Sequence, residues 1–267
     1  MKIGICTGNN PERAKIAGEL GFDFAELGVN GYARMSDEEF AAFHEGMVAA
    51  GIPCEAANGF VPGDIKLVGD AADAEVIRAY ITQAMKRSDM LGIKTIVFGS
   101  GGARRIPEGM SREDGVAEIA EFLREIVSPE AAKYGIQIAI EPLRKHECNA
   151  VNTVDDGIAL ADAVGRENIS VLADLHHMTH EGEELTSIAG KKGRILHVHS
   201  SYSEAETGGR RYPKLTDDFD QFPFMNAAYQ AGCPRYSLEA GHPGDFREDA
   251  EEALAVFRQA YARITQN

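Results

Sequence analysis

Short apolar, β-branched segments alternate with longer segments of helical period along the whole chain. Eight of the short segments predict buried strands. They are KIGICTG from Lys2, FAELGVN from Phe24, PCEAANG from Pro53, TIVFGSG from Thr95, QIAIEP from Gln137, ISVLADL from Ile169, ILHVHSS from Ile195 and RYSLEAG from Arg235. The longer segments repeat apolar residues every three or four positions, which is typical of helices with one buried face.

The ends of the helical segments carry recognisable signals. Ser36 and Ser111 precede two of them as N-cap residues, and glycines such as Gly51 and Gly165 stand between a helix and the next strand. Eight strands that are each followed by a helix predict an α/β fold, a (β/α)8 TIM barrel with right-handed crossovers. An open doubly wound sheet is the alternative, but it usually has fewer strands, and the chain has no glycine-rich dinucleotide fingerprint.

The alternation runs through residues 1–267 without a linker or a low-complexity stretch, so we expect a single domain. No apolar run approaches the length of a membrane span, and the start MKIGIC lacks the pattern of a secretory signal. The four cysteines lie far apart without a CxxC pair, which indicates reduced thiols. These features predict a cytoplasmic protein with no membrane partner.

The charge balance bears on the kind of partner. A formal net charge of −15 disfavours binding to nucleic acid, because phosphate contacts require clustered Lys and Arg. We therefore expect a small-molecule substrate and no nucleic-acid partner. A homo-oligomer is left open.

Polar residues close the last four predicted strands: Glu141 in QIAIEP, Asp174 in VLAD, His199 in ILHVH and Glu239 in YSLE. The chemistry of a TIM barrel takes place at the C-terminal ends of its strands, so these side chains are expected to meet there. Each alone could be a solvated strand-end residue, but three converging carboxylates without a cation would raise one another's pKa. The set predicts a divalent metal site for Mn²⁺, Mg²⁺ or Co²⁺ that could also take Zn²⁺.

The motifs resemble the xylose isomerase-like superfamily, and within it the ketose 3-epimerases and related sugar isomerases. The resemblance rests on Glu141-Pro142, Asp174-x-x-His177, His197-x-His199 and Glu239. The segment EPLRKHECNAVNT is similar to the ketose 3-epimerase segment whose first glutamate is a metal ligand and acid/base and whose later glutamate contacts the substrate.

By this resemblance Glu141 holds the metal and transfers protons, and Glu147 contacts the substrate. His177 is implied to bind a substrate oxygen beside the metal. Arg210, within GGRRYP, is similar to an arginine near the epimerase substrate.

The resemblance implies a divalent-metal-dependent epimerase or isomerase of a sugar or sugar phosphate. Its expected chemistry is proton transfer through a metal-stabilised enediolate. One of Glu141 and Glu239 would remove the carbon-bound proton and the other would return one from the opposite face. Two alternatives stay open at this point, an inosose dehydratase-like lyase of the same superfamily and a non-catalytic sugar-binding barrel.

Other polar residues near the strand ends are harder to interpret. Glu26 ends the second strand without an assigned role. His176 is expected to be a packing or surface residue, because its neighbour His177 takes the functional position. His197 shares a strand face with His199 but lies deeper, so we expect it to support the site or to belong to the core.

Two loops stand out in the sequence. The loop at 99–105 combines glycines with Arg104 and Arg105, which could cradle a phosphate or carboxylate or could simply be solvated. The segment from Ser200 to Gln221 is long for a loop between a strand and a helix, and it predicts a lid or substrate clamp.

Overall fold

A computed structural model of the chain describes residues 1–204, 207–241 and 244–266. The described residues form ten strands: β1 (Lys2–Cys6), β2 (Phe24–Gly28), β3 (Cys54–Asn58), β4 (Thr95–Phe98), β5 (Gln137–Ile140), β6 (Ile169–Asp174), β7 (Ile195–Ser200), β8 (Tyr202–Glu204), β9 (Gly209–Arg211) and β10 (Arg235–Leu238). Eight of them close a barrel in the order β1-β10-β7-β6-β5-β4-β3-β2. All neighbouring barrel strands run parallel.

Helices follow every barrel strand, which confirms the predicted (β/α)8 architecture. They are α1 (Pro11–Leu20), α2 (Val29–Arg34), α3 (Asp37–Ala50), α4 (Ala74–Met90), α5 (Arg112–Phe122), α6 (Ser128–Ala132), α7 (Val154–Val164), α8 (Leu175–Glu181), α9 (Phe222–Gln230) and α10 (Phe246–Thr265). A π-helical turn at Leu123–Val127 joins α5 to α6, and a 3-10 helix spans Leu185–Gly190.

The predicted helix caps are present. Ser36 accepts a hydrogen bond from the backbone N–H of Glu39, whose side chain in turn accepts from the N–H of Ser36, so α3 begins with a capping box. Ser111 caps α5 through the N–H of Asp114. Gly165 ends α7 in the left-handed region at φ 64°, where a side chain would be strained.

The barrel has an inner and an outer apolar layer. Val97, Ala139 and Leu172 form a small cluster separate from the main core. On β4, β5 and β6 they alternate with residues of the main core, which are Ile96, Ile138 and Val171. Because successive side chains of a strand point to opposite faces, the first group fills the barrel and the second packs against the helices. Glu141, directly after β5 and two positions beyond Ala139, continues the inner face.

The long segment after β7 contains an element that the sequence pattern did not predict. Strands β8 and β9 pair as an antiparallel hairpin in which Ser203 lies opposite Arg210. Residues 205 and 206, between β8 and β9 in the sequence, lie outside the described residues. The hairpin brings Arg210 back over the C-terminal end of the barrel.

No helix among the described residues is long and apolar enough to cross a membrane. All four cysteines are free thiols.

Candidate metal centre

The C-terminal ends of four neighbouring barrel strands bring four ionisable side chains together. Glu141 follows β5, Asp174 ends β6, His199 lies in β7, and Glu239 follows β10. Each of these side chains offers one ligand atom, and the four atoms all lie within 4.8 Å of one another. The structure thus places all four predicted ligands in one centre.

Asp174 has two structural roles that use different oxygens. Its Oδ1 caps α8 by accepting from the backbone N–H groups of His176 at 2.6 Å and His177 at 3.2 Å. Its Oδ2 accepts from Arg210 Nη1 at 2.9 Å. Since Oδ1 is committed to the helix N-terminus, Oδ2 is the oxygen that faces the centre.

Glu141 is held through its backbone by a buried arginine. Arg104 is fully buried and donates to the carbonyl oxygens of Phe98 at 2.9 Å and Glu141 at 2.5 Å. Arg105 donates to the carbonyl oxygen of Glu147 at 2.7 Å. Arg104 is therefore not solvated, because its side chain joins the ends of β4 and β5, whereas Arg105 is exposed.

A glycine makes room for the Glu141 carboxylate. A Cβ atom at Gly99 would lie 2.2 Å from Glu141 Oε2, far inside van der Waals contact. Any side chain at position 99 would therefore displace the carboxylate from the centre.

His199 is oriented from below by a carboxylate that lies inside the barrel. Glu26 Oε1 lies 2.8 Å from His199 Nε2, and Glu26 Oε2 lies 2.9 Å from His197 Nε2. All three side chains are completely buried. Because Glu26 accepts the Nε2 proton of His199, the Nδ1 atom of that ring faces the carboxylates, 3.3 Å from Glu141 Oε1 and 3.0 Å from Glu239 Oε2.

Burial and neighbouring charges shift the pKa values of these groups in opposite directions. Burial would raise the pKa of Glu26, but the imidazoles of His199 and His197 bring it well below its usual range. Burial would lower the pKa of His199, but the carboxylates of Glu239 and Glu26 raise it well above its usual range. The pKa values of Glu141 and Glu239, the two carboxylates expected to transfer protons, are shifted in opposite directions. Burial raises the pKa of Glu141, whereas His199 and Arg210 overcome burial and hold the pKa of Glu239 low.

Glu239 lies between positive groups and an amide. Its Oε2 is 2.7 Å from Arg210 Nη1 and 3.0 Å from His199 Nδ1, but neither contact has hydrogen-bond geometry, so this buried oxygen has no hydrogen-bond partner among the described residues. Its Oε1 accepts from Asn58 Nδ2 at 3.0 Å. One oxygen of the carboxylate is thus held in place, and the other is available to a ligand.

The predicted substrate-binding residues border the centre. His177 is buried, accepts from the Arg144 N–H through Nδ1 at 3.3 Å, and has Nε2 4.0 Å from Glu141 Oε1. Glu147 pairs with Arg144 Nε at 2.7 Å and is 38% exposed at its side chain. Arg144 also donates to the carbonyl oxygen of Gly208 at 2.7 Å, which joins this border to the hairpin.

His176 points away from the four-residue centre. Its Nδ1 lies 3.0 Å from Ser203 Oγ on the hairpin, and burial lowers its pKa to about 3. His176 and His197 lie outside the four-residue centre, although His176 lies close enough to Glu147 and His177 to form a second group of possible metal ligands. Sequence reasoning missed the contacts of Glu26, Asn58 and Arg104. Glu26 has a visible signal, a carboxylate that closes an apolar strand. Asn58 and Arg104 have none that separates them from ordinary loop residues.

The donor set fits a divalent cation. Three carboxylates and one imidazole nitrogen are ligands that Mn²⁺, Mg²⁺, Co²⁺ and Zn²⁺ accept. The buried Oε2 of Glu239 has ion-pair contacts but no hydrogen bond among the described residues, and such an oxygen can be satisfied by a bound cation.

A closed (β/α)8 barrel with such a centre at its C-terminal end defines a TIM-barrel protein with a candidate metal site. Residues 14–260 match the family described as "Xylose isomerase-like TIM barrel", and the chain belongs to that family. The resemblance inferred from the sequence motifs is thereby confirmed.

Relatives with assigned activities are epimerases and isomerases. D-psicose 3-epimerase of Agrobacterium fabrum is 27% identical over 208 residues, which cover 75% of this chain and 70% of that protein. Inosose isomerase of Bacillus velezensis is 33% identical over 85 residues, or 31% of this chain and 29% of that protein. The crystal structure of D-psicose 3-epimerase with D-tagatose from Clostridium cellulolyticum superposes with a TM-score of 0.80 at 18% identity, covering 97% of this chain and 99% of that one.

Proposed function

We propose that the protein is a divalent-metal-dependent epimerase or isomerase of a sugar, closest in chemistry to a ketose 3-epimerase. The observation that carries this proposal is the pair of glutamates, Glu141 and Glu239, within one buried cluster of metal-binding type. The similarity to D-psicose 3-epimerase over three quarters of the chain supports a ketose as the substrate. Two carboxylates in this cluster favour catalysis over a non-catalytic sugar-binding barrel, because binding alone needs no opposed acid and base.

Glu141, Asp174, His199 and Glu239 would hold the cation. When bound, a divalent cation supplies Lewis-acid stabilisation of the negative charge that develops on a carbonyl oxygen. His199 would act as a neutral ligand through Nδ1, because Glu26 fixes the proton on Nε2.

The protein's own residues would move the protons. One of Glu141 and Glu239 removes the proton on the carbon next to the carbonyl, and the other returns one to the opposite face, which inverts that carbon. His177, Glu147 and Arg210 border the centre and would orient the substrate hydroxyls. Arg210 Nη1, 2.9 Å from Asp174 Oδ2, also offsets the negative charge of the carboxylates.

Two finer points of substrate chemistry follow from the site. Arg104 is buried and donates through both Nη atoms to carbonyl oxygens of β4 and of Glu141, so these donors are not directed at a sugar phosphate, and we favour an unphosphorylated sugar. A cyclitol is the second candidate, because the inosose isomerase of Bacillus velezensis is 33% identical over the segment it shares with this chain. A lyase acting on such a cyclitol would use the same proton abstraction and then expel water.

The compartment is inferred from the thiols. Cys6, Cys54, Cys148 and Cys233 are all unpaired. Free thiols persist in reducing surroundings, so we propose that the protein works in the cytoplasm.

Product analysis tests this function directly. We expect the protein, supplied with Mn²⁺ and separately with Co²⁺ or Mg²⁺, to convert at least one ketose into its 3-epimer. The panel contains ketoses, their phosphates and inososes, and products are separated by chromatography and identified by NMR. Turnover of an inosose with loss of water would favour the lyase, and no turnover of any compound would overturn the proposal.

A second prediction concerns Glu26, which orients His199. In Glu26→Gln the single amide oxygen can accept from only one of the two histidines, and the amide NH2 faces the other ring N–H. We expect Mn²⁺ affinity to fall by about 10- to 100-fold, measured by calorimetry on the metal-free protein.

Glu55→Gln is the matched control for Glu26→Gln. Glu55 lies in β3 and pairs with Lys2 and Arg235, away from the four-residue centre. Its Mn²⁺ affinity should equal that of the wild type. Unchanged Mn²⁺ affinity in Glu26→Gln would show that His199 does not depend on Glu26 for its orientation.

A further inference from the structure

Asn58, at the end of β3, contacts the centre from the opposite side of the barrel. Its Nδ2 donates to Glu239 Oε1 at 3.0 Å and lies 3.5 Å from Cys6 Sγ. The two N–H bonds of the amide are therefore both directed at acceptors. The reversed amide would point its oxygen at a carboxylate oxygen, so the contacts determine which end of the amide faces Glu239.

The carbonyl end of the same amide is free. Asn58 Oδ1 has no hydrogen-bond partner among residues 1–204, 207–241 and 244–266. It is also not one of the fully buried polar atoms that lack a partner, so it is accessible. The residue as a whole is partly exposed. A fixed and accessible carbonyl oxygen beside a carboxylate is an acceptor for a hydroxyl group on a bound molecule.

We propose that Asn58 is both a positioning residue for Glu239 and a specificity-determining contact for the substrate hydroxyl next to the reacting carbon. This proposal rests on the proposed function. In a 3-epimerase the carbon that loses its proton is C3, and of its two neighbours C2 is the carbonyl. The hydroxyl on C4 is therefore the group that Asn58 Oδ1 would accept from while Glu239 is at C3.

The two contacts of Asn58 have separable consequences. The bond to Glu239 Oε1 keeps that oxygen directed at the reacting carbon, so its loss affects kcat. The bond from the C4 hydroxyl contributes to recognition, so its loss affects the preference for a substrate that carries this hydroxyl. A buried hydrogen bond to a charged group typically contributes enough to change a rate or affinity by about 10- to 100-fold.

Two variants separate these effects. Asn58→Leu removes both contacts, so kcat/KM for the best ketose should fall by about 10- to 100-fold. The wild type should discriminate against the 4-deoxy analogue of that ketose by a similar factor, and Asn58→Leu should treat the two compounds alike. Asn58→Asp keeps an acceptor but repels Glu239, so it should lose kcat and still prefer the hydroxylated ketose.

Asn30→Leu is the matched control, since Asn30 is an exposed asparagine of the neighbouring helix α2. It should keep the kinetics of the wild type with both compounds. Wild-type kcat/KM in Asn58→Leu, together with an unchanged preference against the 4-deoxy ketose, would overturn the proposal even though the enzyme is an epimerase.

A spectroscopic measurement tests the contacts of Asn58 without measuring turnover. In the full protein labelled with 15N-asparagine, the side-chain signals of Asn58 are identified by their absence in Asn58→Leu. We expect them to shift in Glu239→Gln and in Cys6→Ala, and again on addition of the ketose. If the signals shift in none of these three cases, the proposed role of Asn58 is wrong. Failure of the epimerase proposal would show only in the product analysis of the wild type.

Discussion

Glu239→Gln and Glu141→Gln are each expected to lower kcat by about two to four powers of ten. Glutamine keeps an oxygen that can still bind a cation, but its amide cannot accept a proton at neutral pH. If the two carboxylates act on opposite faces of the substrate, neither alone completes an inversion. The rates are measured as epimer formation under saturating ketose and Mn²⁺.

Solvent exchange distinguishes proton transfer from metal binding in these variants. In deuterated water, one of the two variants should still exchange the carbon-bound hydrogen of the ketose, because the surviving glutamate can remove and return a proton on its own face. Exchange requires a glutamate on the face that carries this hydrogen, so the variant that keeps the exchange tells which face each carboxylate serves.

Glu183→Gln provides a matched control for these glutamate variants. Glu183 is a partly buried glutamate near the same end of the barrel, and it accepts from the Val154 N–H at 3.0 Å through Oε2. Glutamine can make the same bond, so kcat should be unchanged. Wild-type rates in both Glu141→Gln and Glu239→Gln would show that these carboxylates serve only to hold the cation.

Asp174→Ala and His199→Ala are expected to lose the metal, and with it all measurable turnover. Each variant removes one of four ligand atoms from a cluster that spans less than 4.8 Å. Metal content is measured by elemental analysis after dialysis, and chelation of the wild type should abolish activity in the same way. Full metal occupancy in both variants would refute the ligand assignment.

The helix cap of Asp174 requires its own control. Alanine at position 174 also removes the cap of α8, which typically costs about 1 kcal/mol of stability. Asp174→Ser can still cap the helix but lacks the Oδ2 that faces the centre, so it should keep the stability and lose the metal. Asp73→Ala removes the cap of α4 alone, and it should lose some stability and keep the metal.

Much of the candidate site could be predicted because its residues carry local signals. Glu141, Asp174 and Glu239 interrupt apolar strands at their C-terminal ends, and a TIM barrel brings such ends together. The hairpin of β8 and β9 could not be predicted, because three-residue strands are too short to show a period.

The case of Arg104 shows the limit of local reasoning. Arginine among glycines is typical of an exposed loop. The structure buries this side chain because the ends of β4 and β5 present two carbonyl oxygens to it. Main-chain acceptors of this kind exist only once the strands are in register.

The sequence alone determined the barrel and the set of strand-end residues, because strand alternation and helical period are properties of neighbouring positions. The tertiary structure decided how those residues are oriented. The contact between Glu26 and His199 joins positions 173 residues apart, and that between Asn58 and Glu239 joins positions 181 residues apart. Such contacts depend on closure of the barrel, which brings together strands that are far apart in the sequence. The pattern of apolar and polar residues does not determine the distance between those strands.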